Sequence, residues 1–245
     1  MSTPNFRFKQ FTVWHDRCAM KVGTDGVLLG AWCPITNHQI PTTNTPLRVL
    51  DVGTGSGLIA LMVAQRCPNA QIDAIDIDEK AVEQAKENAQ ISNFKSQIST
   101  FVSRIQDWKP ETKYDLIVSN PPFFQNSLKN PDKGRELARH TDSLSYDELI
   151  ANSVRMITED GLLALILPSE AEQEITEIAT RHGLACTHIT RVYSKESKPA
   201  RRVLIAFCRV RPESSVTPLE NILVLENEIG GRSAAYQELC KEFYL

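Results

Sequence analysis

A short polar and proline-rich tip follows one apolar run of the sequence. Asn120, Pro121, Pro122 and Phe123 come directly after the run 114–119, which is short enough to be a buried strand. Because the two prolines have no N–H to donate and a fixed φ, they end strand pairing and hold a stiff peptide with free carbonyls. Asn120 adds a side-chain carbonyl and Phe123 a flat apolar face. The tip predicts a rigid site that accepts hydrogen bonds from an NH₂ group and stacks on the ring carrying it.

An acidic, glycine-rich turn lies upstream, between a predicted strand and a predicted helix. Its pattern is Asp51-x-Gly53-x-Gly55-x-Gly57, and glycines at such a turn let the backbone approach a ligand without strain. A dinucleotide site has the spacing Gly-x-Gly-x-x-Gly and seats a pyrophosphate on the helix N-terminus. A carboxylate beside that phosphate would repel it, whereas a carboxylate beside an ammonium group would attract it.

A second acid completes the predicted cofactor site. Asp76 ends the next predicted strand, and its carboxylate can accept from both hydroxyls of a ribose. S-adenosyl-L-methionine has an amino-acid end, a ribose and no phosphate, so it fits Asp51 and Asp76 together. With the amino-accepting tip, these residues predict methyl transfer to an amino nitrogen by positioning and placed dipoles, without a strong general base.

The composition is that of an ordinary globular chain. Of the residues, 42% are hydrophobic and 23% are charged. The length of 245 residues suffices for one large α/β domain with a small extension. No apolar run is long enough to span a bilayer and residues 1–10 lack a hydrophobic signal core, so we expect a cytoplasmic protein. The cysteines and histidines show no metal-ligand spacing, and we expect no metal.

Basic residues cluster around the predicted site although the net charge is −3. The clusters comprise Arg7, Lys9, Arg17 and Lys21; then Lys129, Lys133, Arg135 and Arg139; and finally Arg191, Lys195, Lys198, Arg201 and Arg202. One such cluster is as typical of a solvated face as of a binding site, but three around one site favour a polyanion. The residues predicted to bind substrate phosphates are Lys133, Arg135, Arg139, Lys195, Lys198, Arg201 and Arg202.

Strand and helix patterns alternate through most of the chain. Predicted strands lie at 48–52, 71–76, 97–102, 114–119 and 161–167, and predicted helices at 58–66, 79–92, 145–157 and 169–181. The alternation predicts an α/β, Rossmann-like fold with a mostly parallel, doubly wound sheet. Strands 184–193 and 202–209 have only a basic loop between them, so they form an antiparallel C-terminal hairpin or enclose a long flap.

Three regions follow from these patterns. Residues 1–46 form an N-terminal arm, a cap helix that begins at Thr24 or Asp25, and a linker. Residues 47–210 form the main domain. Residues 211–245 form a strand–helix extension, with a strand at 221–226 and a helix at 233–244, that packs on the same domain.

The motifs together resemble a known family. The Asp51 glycine turn, Asp76 and the tip 120–123 resemble a class I S-adenosylmethionine-dependent methyltransferase that methylates amino groups, over about residues 47–210. The arm segments 8–11, 15–26 and 28–32 closely resemble the bacterial tRNA(Val) adenine-37 N6-methyltransferase family, and the C-terminal segment 243–245 is similar too. The resemblance implies methylation of N6 of adenosine 37 in tRNA(Val). It implies the tRNA anticodon stem-loop as partner, and neither DNA nor membrane.

The resemblance also implies roles for individual residues. Gly53, Gly55 and Gly57 would line the donor, Asp51 would lie near its amino group, Asp76 would hold its ribose, Thr24 and Asp25 would close over its methionine end, and Asn120, Pro121, Pro122 and Phe123 would hold the target base. Such enzymes commonly place an acid after the third strand, against the cofactor adenine. This chain has Arg104 there, so Asp107, or Ser103 with backbone atoms, would take that role.

Two other interpretations stay open at this point. The same motifs could serve another amino acceptor, such as N2 of an rRNA guanine or a protein glutamine amide, or a non-catalytic module that clamps RNA. The basic clusters favour RNA over protein, and the arm alone separates tRNA from rRNA. The oligomeric state, monomer or weak homodimer, also stays open.

Overall fold

Short apolar strands and helices alternate along the chain. The computed structural model describes residues 4–18, 20–35, 46–122, 144–211 and 216–245. The strands are β1 (Asn5–Arg7), β2 (Thr12–Trp14), β3 (Arg48–Val52), β4 (Gln71–Asp76), β5 (Ile98–Val102), β6 (Tyr114–Ser119), β7 (Ile157–Pro168), β8 (Leu184–Tyr193), β9 (Ala200–Arg209) and β10 (Leu219–Val224). The helices are α1 (Thr24–Trp32), α2 (Leu58–Arg66), α3 (Glu79–Ile91), α4 (Tyr146–Met156), α5 (Glu172–Arg181) and α6 (Ala234–Cys240). Within these ranges, no helix has the length and apolar character needed to cross a membrane.

The described strands β3 to β10 form a single sheet. Its order is β10-β8-β9-β7-β6-β3-β4-β5. Neighbouring strands are parallel, except that β9 runs antiparallel to β7 and β8. The predicted α/β class, the mostly parallel sheet and the antiparallel C-terminal hairpin are confirmed. Strand β10, whose place was not predicted, adds a parallel edge beside β8.

Both faces of the sheet are covered. Apolar side chains of α1, α2 and α6 pack with the arm on one face, and those of α4 and α5 pack on the other. A parallel sheet buried on both faces has nearly continuous apolar strands, which explains why β6 and β7 have so few exposed positions.

The strand order reverses at β3. This strand pairs with β4 on one side and with β6 on the other, and ligands of open α/β sheets bind in the crevice at such a switch point. Val52 and Ser119 are opposite each other in the register, and the Ser119 hydroxyl donates to the Val52 carbonyl at 2.8 Å. Gly53 and Asn120, the next residue of each strand, therefore emerge side by side.

Two glycines bring α1 into close contact with α2. A Cβ at Gly26 would lie 3.0 Å from a Leu58 methyl group, and one at Gly30 would lie 2.7 Å from the Met62 sulfur and 2.9 Å from its Cβ. Moving four residues along α1, from Gly26 to Gly30, moves the contact four residues along α2, from Leu58 to Met62. The two helices therefore run parallel. At the other end of α1, Arg66 donates to the carbonyls of Gly30 and Cys33, both at 2.9 Å.

The arm and the C-terminal tail lie against each other. The Lys9 amide donates to the Phe243 carbonyl at 2.8 Å. The rings of Phe8 and Tyr244 stack with their centroids 6.1 Å apart. The tail is also tied to α2, because Gln65 donates to the Glu242 carbonyl at 2.8 Å.

Several predicted boundaries were wrong, each for a local reason. The predicted start of helix α1 at Thr24 is confirmed, although its N-cap is Gly23 and no side chain caps it. Strand β7 begins at Ile157 rather than 161, because Ile157 pairs with Tyr114 before the chain loops out and resumes pairing. The tail helix ends at Cys240 rather than 244, where a turn buries Phe243. The tail strand lies two residues earlier than predicted, and the helix predicted at 169 begins as a 3₁₀ turn.

The α1–α2 contact predicts opposite outcomes for two Gly→Ala changes. Each change improves helix propensity by about 1 kcal/mol. Gly30→Ala would overpack against the Met62 Cβ and the start of its side chain, so we expect a net loss of about 1–2 kcal/mol. Gly26→Ala meets only a methyl group that can rotate away, so we expect unchanged or slightly higher stability. Urea unfolding of both variants checks this, and equal effects would contradict it.

Candidate functional site

The predicted site residues of three strands meet at one edge of the sheet. Asp51 and the glycine turn follow β3, Asp76 ends β4, and Asn120 follows β6. Because these strands are parallel neighbours, their carboxyl ends open into the same crevice. Phe123, Lys133, Arg135 and Arg139 lie outside the described residues.

Asp51 is a buried carboxylate with one oxygen unpaired. It is fully buried, and its Oδ2 accepts from the Thr54 hydroxyl at 2.7 Å and the Ala60 amide at 3.2 Å. Its Oδ1 has no hydrogen-bond partner among the described residues. Burial raises the pKa of Asp51 from 3.8 to about 7, with a smaller contribution from the charge of Asp76 and against the two hydrogen bonds. An incoming ammonium group would supply the missing partner.

The glycine turn combines an open surface with one tight contact. Gly53, Gly55 and Gly57 all have positive φ, at 72°, 54° and 80°. A Cβ on Gly53 or Gly55 would have no atom within 4 Å, whereas one on Gly57 would lie 3.2 Å from the Ala85 Cβ. The first two therefore leave space for a ligand, and Gly57 mainly allows the turn to pack on α3. This open turn beside an unpaired acceptor fits S-adenosyl-L-methionine.

Asp76 is fixed by two backbone amides. Its Oδ2 accepts from Gly55 at 2.9 Å and its Oδ1 from Asp78 at 3.0 Å. Each carboxylate oxygen keeps a second lone pair for a hydroxyl. The next residue, Ile77, is 62% exposed and was not predicted as a site residue. An open apolar side chain directly after the acid predicted to bind ribose suits the face of an adenine ring.

The N-terminal turn of α1 is held by an ion pair. Arg202 Nε lies 2.8 Å from Asp25 Oδ2, and both side chains are partly buried. Thr24 is exposed beside it. The structure thus joins Asp25, predicted to contact the cofactor, to Arg202, predicted to bind phosphate. Because α1 runs parallel to α2, these residues lie at the same end of the molecule as the glycine turn.

Asn120 presents a second unpaired acceptor to the crevice. Its Oδ1 is buried and has no partner in the part of the chain that the structure describes. Pro121 is buried and Pro122 is exposed, so the rigid tip reaches the surface at Pro122. A buried acceptor without a partner costs about 1–3 kcal/mol, which is the sign of a ligand-binding position.

The basic hairpin loop lies at the same edge, but several of its charges are paired. Arg191 binds Glu172 at 2.5 Å and Glu220 at 2.8 Å, so it does not add to the predicted phosphate surface. Lys195 lies 3.8 Å from Glu226. Lys198 and Arg201 are exposed, which leaves these two as the most accessible cations of the loop.

Arg104 follows β5 at the position where an acid that contacts the cofactor adenine was expected, and the structure shows what it interacts with instead. The pKa of Glu148 is lowered by hydrogen bonds from the Ser145 amide and hydroxyl, then by Gln106 and the charge of Arg104. Arg104 therefore interacts with the start of α4. The Ser103 amide donates to the Asp76 carbonyl at 2.9 Å, and Asp107 is exposed in the following turn.

Asn88 is a site residue that the sequence did not reveal. It is fully buried on α3. Its amide donates to the Ser56 and Trp14 carbonyls, both at 2.8 Å, and its Oδ1 accepts from the Trp14 amide at 2.9 Å. One side chain thus ties the arm to the glycine turn. The sequence signal that could have revealed this residue was a single asparagine beside the row of alanines on α3.

Comparisons with known proteins find methyltransferases. Residues 38–182 match the family model described as Methyltransferase small domain. A tRNA1(Val) (adenine(37)-N6)-methyltransferase of Phocaeicola vulgatus is 44% identical, over 100% of this chain and 99% of the relative. One of Parabacteroides distasonis is 45% identical over the same shares. The crystal structure of a predicted O-methyltransferase from Agrobacterium tumefaciens has a TM-score of 0.62 at 16% identity, covering 89% of this chain and 96% of that one.

The raised pKa of Asp51 predicts a specific dependence of stability on pH. Between pH 3.8 and about pH 7, the folded chain holds a proton on Asp51 that the unfolded chain has released. The bound proton therefore stabilises the folded state fully below pH 3.8, and this stabilisation is lost as the pH rises through about 7. We expect the stability of the wild type, relative to Asp51→Asn, to fall by about 1 kcal/mol per pH unit in that window.

Urea unfolding at several pH values measures this difference. Glu111→Gln, which removes an exposed carboxylate in the loop before β6, is the matched control and should follow the wild type. A constant difference between the wild type and Asp51→Asn over the window would show that Asp51 does not hold the proton.

Proposed function

The chain belongs to the tRNA1(Val) (adenine(37)-N6)-methyltransferase family, and we propose that it transfers a methyl group from S-adenosyl-L-methionine to N6 of adenosine 37 in the anticodon loop of tRNA(Val). The observation that carries the proposal is the buried, unpaired Oδ1 of Asn120 at the carboxyl end of β6. An acceptor in that position needs an N–H donor from a ligand, and an exocyclic amino group supplies one. The tRNA substrate implies a cytoplasmic location.

Asn120 and Pro121 would activate the target nitrogen by position alone. The lone pair of an exocyclic amino group is drawn into the ring, which makes the nitrogen a poor nucleophile. If Asn120 Oδ1 and the Pro121 carbonyl each accept one N–H, the nitrogen becomes pyramidal and its lone pair points out of the ring plane. The proton becomes acidic only after methylation, so water can take it. Preorganised acceptors and orientation then supply most of the acceleration.

The glycine turn and two acids would hold the cofactor. When bound, S-adenosyl-L-methionine supplies an electrophilic methyl group on a sulfonium sulfur. Asp51 Oδ1 would accept from its ammonium group, Asp76 from its ribose, and Thr24 and Asp25 would lie over its methionine end. Gly53 and Gly55 would leave room for it, and Gly57 would hold the turn against α3. Asp107 or Ser103 would meet its adenine edge, opposite Ile77.

The target base must leave its stack to reach Asn120. An anticodon-loop purine is already partly unstacked, which lowers that cost. Phe123 would stack on the base and contribute about 1–3 kcal/mol. Lys195, Lys198, Arg201 and Arg202, together with Lys133, Arg135 and Arg139, are the proposed phosphate contacts, and the Pro122 turn would keep the site open to solvent.

Unmodified total tRNA and total rRNA, offered separately with isotopically labelled S-adenosyl-L-methionine, test the proposal. After digestion to nucleosides, mass spectrometry should find label in N6-methyladenosine from tRNA, and sequencing of the labelled fragment should place it at position 37. Label in N2-methylguanosine from rRNA would overturn the substrate. Absence of label from both RNAs would favour a protein amide or a non-catalytic clamp.

Asn120→Ala separates transfer from binding. We expect the single-turnover rate to fall about 100-fold or more, because one preorganised partner of the reacting group is lost, while the Kd values for tRNA and cofactor change little. Asn93→Ala, in an exposed turn after α3, is the matched control. Undiminished transfer by Asn120→Ala would remove Asn120 from the mechanism.

Cofactor affinity should depend on pH through Asp51. Its pKa of about 7 means that binding of an ammonium group must first release a proton below that pH. We expect the Kd for S-adenosyl-L-methionine to fall roughly tenfold from about pH 5.5 to about pH 7, where the ligand's own amino group stays largely protonated. Asp51→Asn should bind more weakly and lose this dependence. Calorimetric titration measures both, and identical pH profiles would exclude Asp51 as the ammonium partner.

A further inference from the structure

A cavity of about 430 Å³ lies between the arm, α1 and the C-terminal tail. Thr24 is the one residue of the proposed cofactor site that lines it. Gly26 faces α2, whereas Val27, about 100° further round α1, faces the cavity. Helix α1 therefore stands between the cavity and the glycine turn, and the cavity is a separate space of a size typical of ligand sites.

One wall of the cavity is an arginine that lies over an aromatic ring. The Arg232 guanidinium lies 4.3 Å from the centroid of the Tyr244 ring and 5.8 Å from that of Tyr236. The two tyrosine hydroxyls are 2.9 Å apart. Within the described residues, no hydrogen bond or ion pair involves the Arg232 guanidinium. Its N–H groups are thus oriented by the stack and remain available to an anion.

The loop that carries Arg232 is closed back on itself. Glu226 and Arg232 form an isolated antiparallel bridge, and the Asn227 amide donates to the Gly231 carbonyl at 2.8 Å. This closure holds the arginine above the cavity. Phe6, which is 37% exposed, lines the same cavity and adds a further aromatic face.

The lining favours a nucleotide over a simple anion. Glu226 also lines the cavity and would repel an isolated phosphate, but a carboxylate can accept from the N–H groups of a base. Aromatic faces stack with any base, and Arg232 can donate to a phosphate. A nucleotide carries all three complementary features in one group.

The cavity also lies where an RNA bound at Asn120 could reach it. Strand β10 is parallel to β8, so its carboxyl end, followed by Glu226, lies at the same edge as the hairpin loop. The Glu226 amide donates to the Ser194 carbonyl of that loop at 3.0 Å. Strand β10 is four strand spacings from β6, on the order of 20 Å, which is within the span of a folded anticodon arm.

We propose that this cavity binds a second nucleotide of the RNA substrate, with its base against Phe6 and its phosphate on Arg232, which Tyr244 supports. This inference rests on the proposed function and extends it, because the footprint of the RNA would reach from the catalytic tip to the junction of the arm and the tail.

The test measures the Kd of a tRNA(Val) transcript and its dependence on salt for the full chain. Arg232→Gln should raise the Kd about tenfold, as expected for a lost charged hydrogen bond, and should reduce the slope of log Kd on log salt by about 0.7. Arg232→Lys should restore the slope but only part of the affinity, because an ammonium group does not stack. Tyr244→Leu should also weaken binding about tenfold, with the slope unchanged.

Three controls make the result specific. Lys241→Gln removes an exposed charge of the same tail, one that is paired with Glu238 at 2.6 Å, and should leave Kd and slope as in the wild type. Cofactor Kd and the single-turnover rate at saturating tRNA should not change in Arg232→Gln. Methyl transfer to tRNA by the wild type tests the proposed function independently.

Two outcomes would overturn the inference while wild-type transfer to tRNA persists. If Arg232→Gln matches Lys241→Gln in Kd and slope, the cavity does not bind the RNA. If Arg232→Gln weakens cofactor binding and leaves tRNA binding intact, the cavity belongs to the cofactor site. If the wild type modifies no tRNA, the failure lies with the proposed function itself.

Discussion

A buried carboxylate that lacks half of its hydrogen bonds is the constraint on which the crevice depends. Burying a charge without full pairing is unfavourable, and Asp51 responds with a pKa near 7. Thr54 and the first turn of α2 satisfy only its Oδ2, and the glycine turn leaves the space beside Oδ1 open. The free protein is therefore less stable at this point than a fully paired core would be, and the ammonium group of the proposed ligand would recover the difference. Sites of this kind trade local stability for affinity.

The surrounding elements keep this unpaired site from collapsing. Asn88 holds the arm to the back of the glycine turn, the glycines of α1 let it lie directly on α2, and Arg66 fixes the far end of α1 through the carbonyls of Gly30 and Cys33. Each contact joins parts of the chain distant in sequence. The arm is therefore a structural part of the cofactor crevice, even though the matched family model begins only at residue 38.

Most of the strands could be predicted from the sequence because their signals are local. The run 48–52 and the glycine turn after Asp51 each depend on neighbouring residues, and the structure has both where the pattern indicated. The ion pair of Asp25 with Arg202, the pairing of Arg191 and the role of Asn88 depend on residues that meet only in the folded chain, and no spacing rule reveals them. The start of β7 was missed because residues 158–160 are polar and the pairing there is irregular.

The pairing of charges changes what the basic surface can do. Arg191 is neutralised by two glutamates, Lys195 lies near Glu226, and Arg202 holds Asp25, so the hairpin loop offers fewer accessible cations than its sequence suggests. A chain with net charge −3 then gains less from general electrostatic attraction to RNA. In the proposed complex, recognition would therefore rest more on placed contacts, namely the acceptor at Asn120 and the arginine that lies over Tyr244. Arg202, in β9 beside the hairpin loop, is paired with Asp25 of α1. This ion pair would therefore join the surface proposed to bind RNA phosphates to the turn proposed to cover the cofactor.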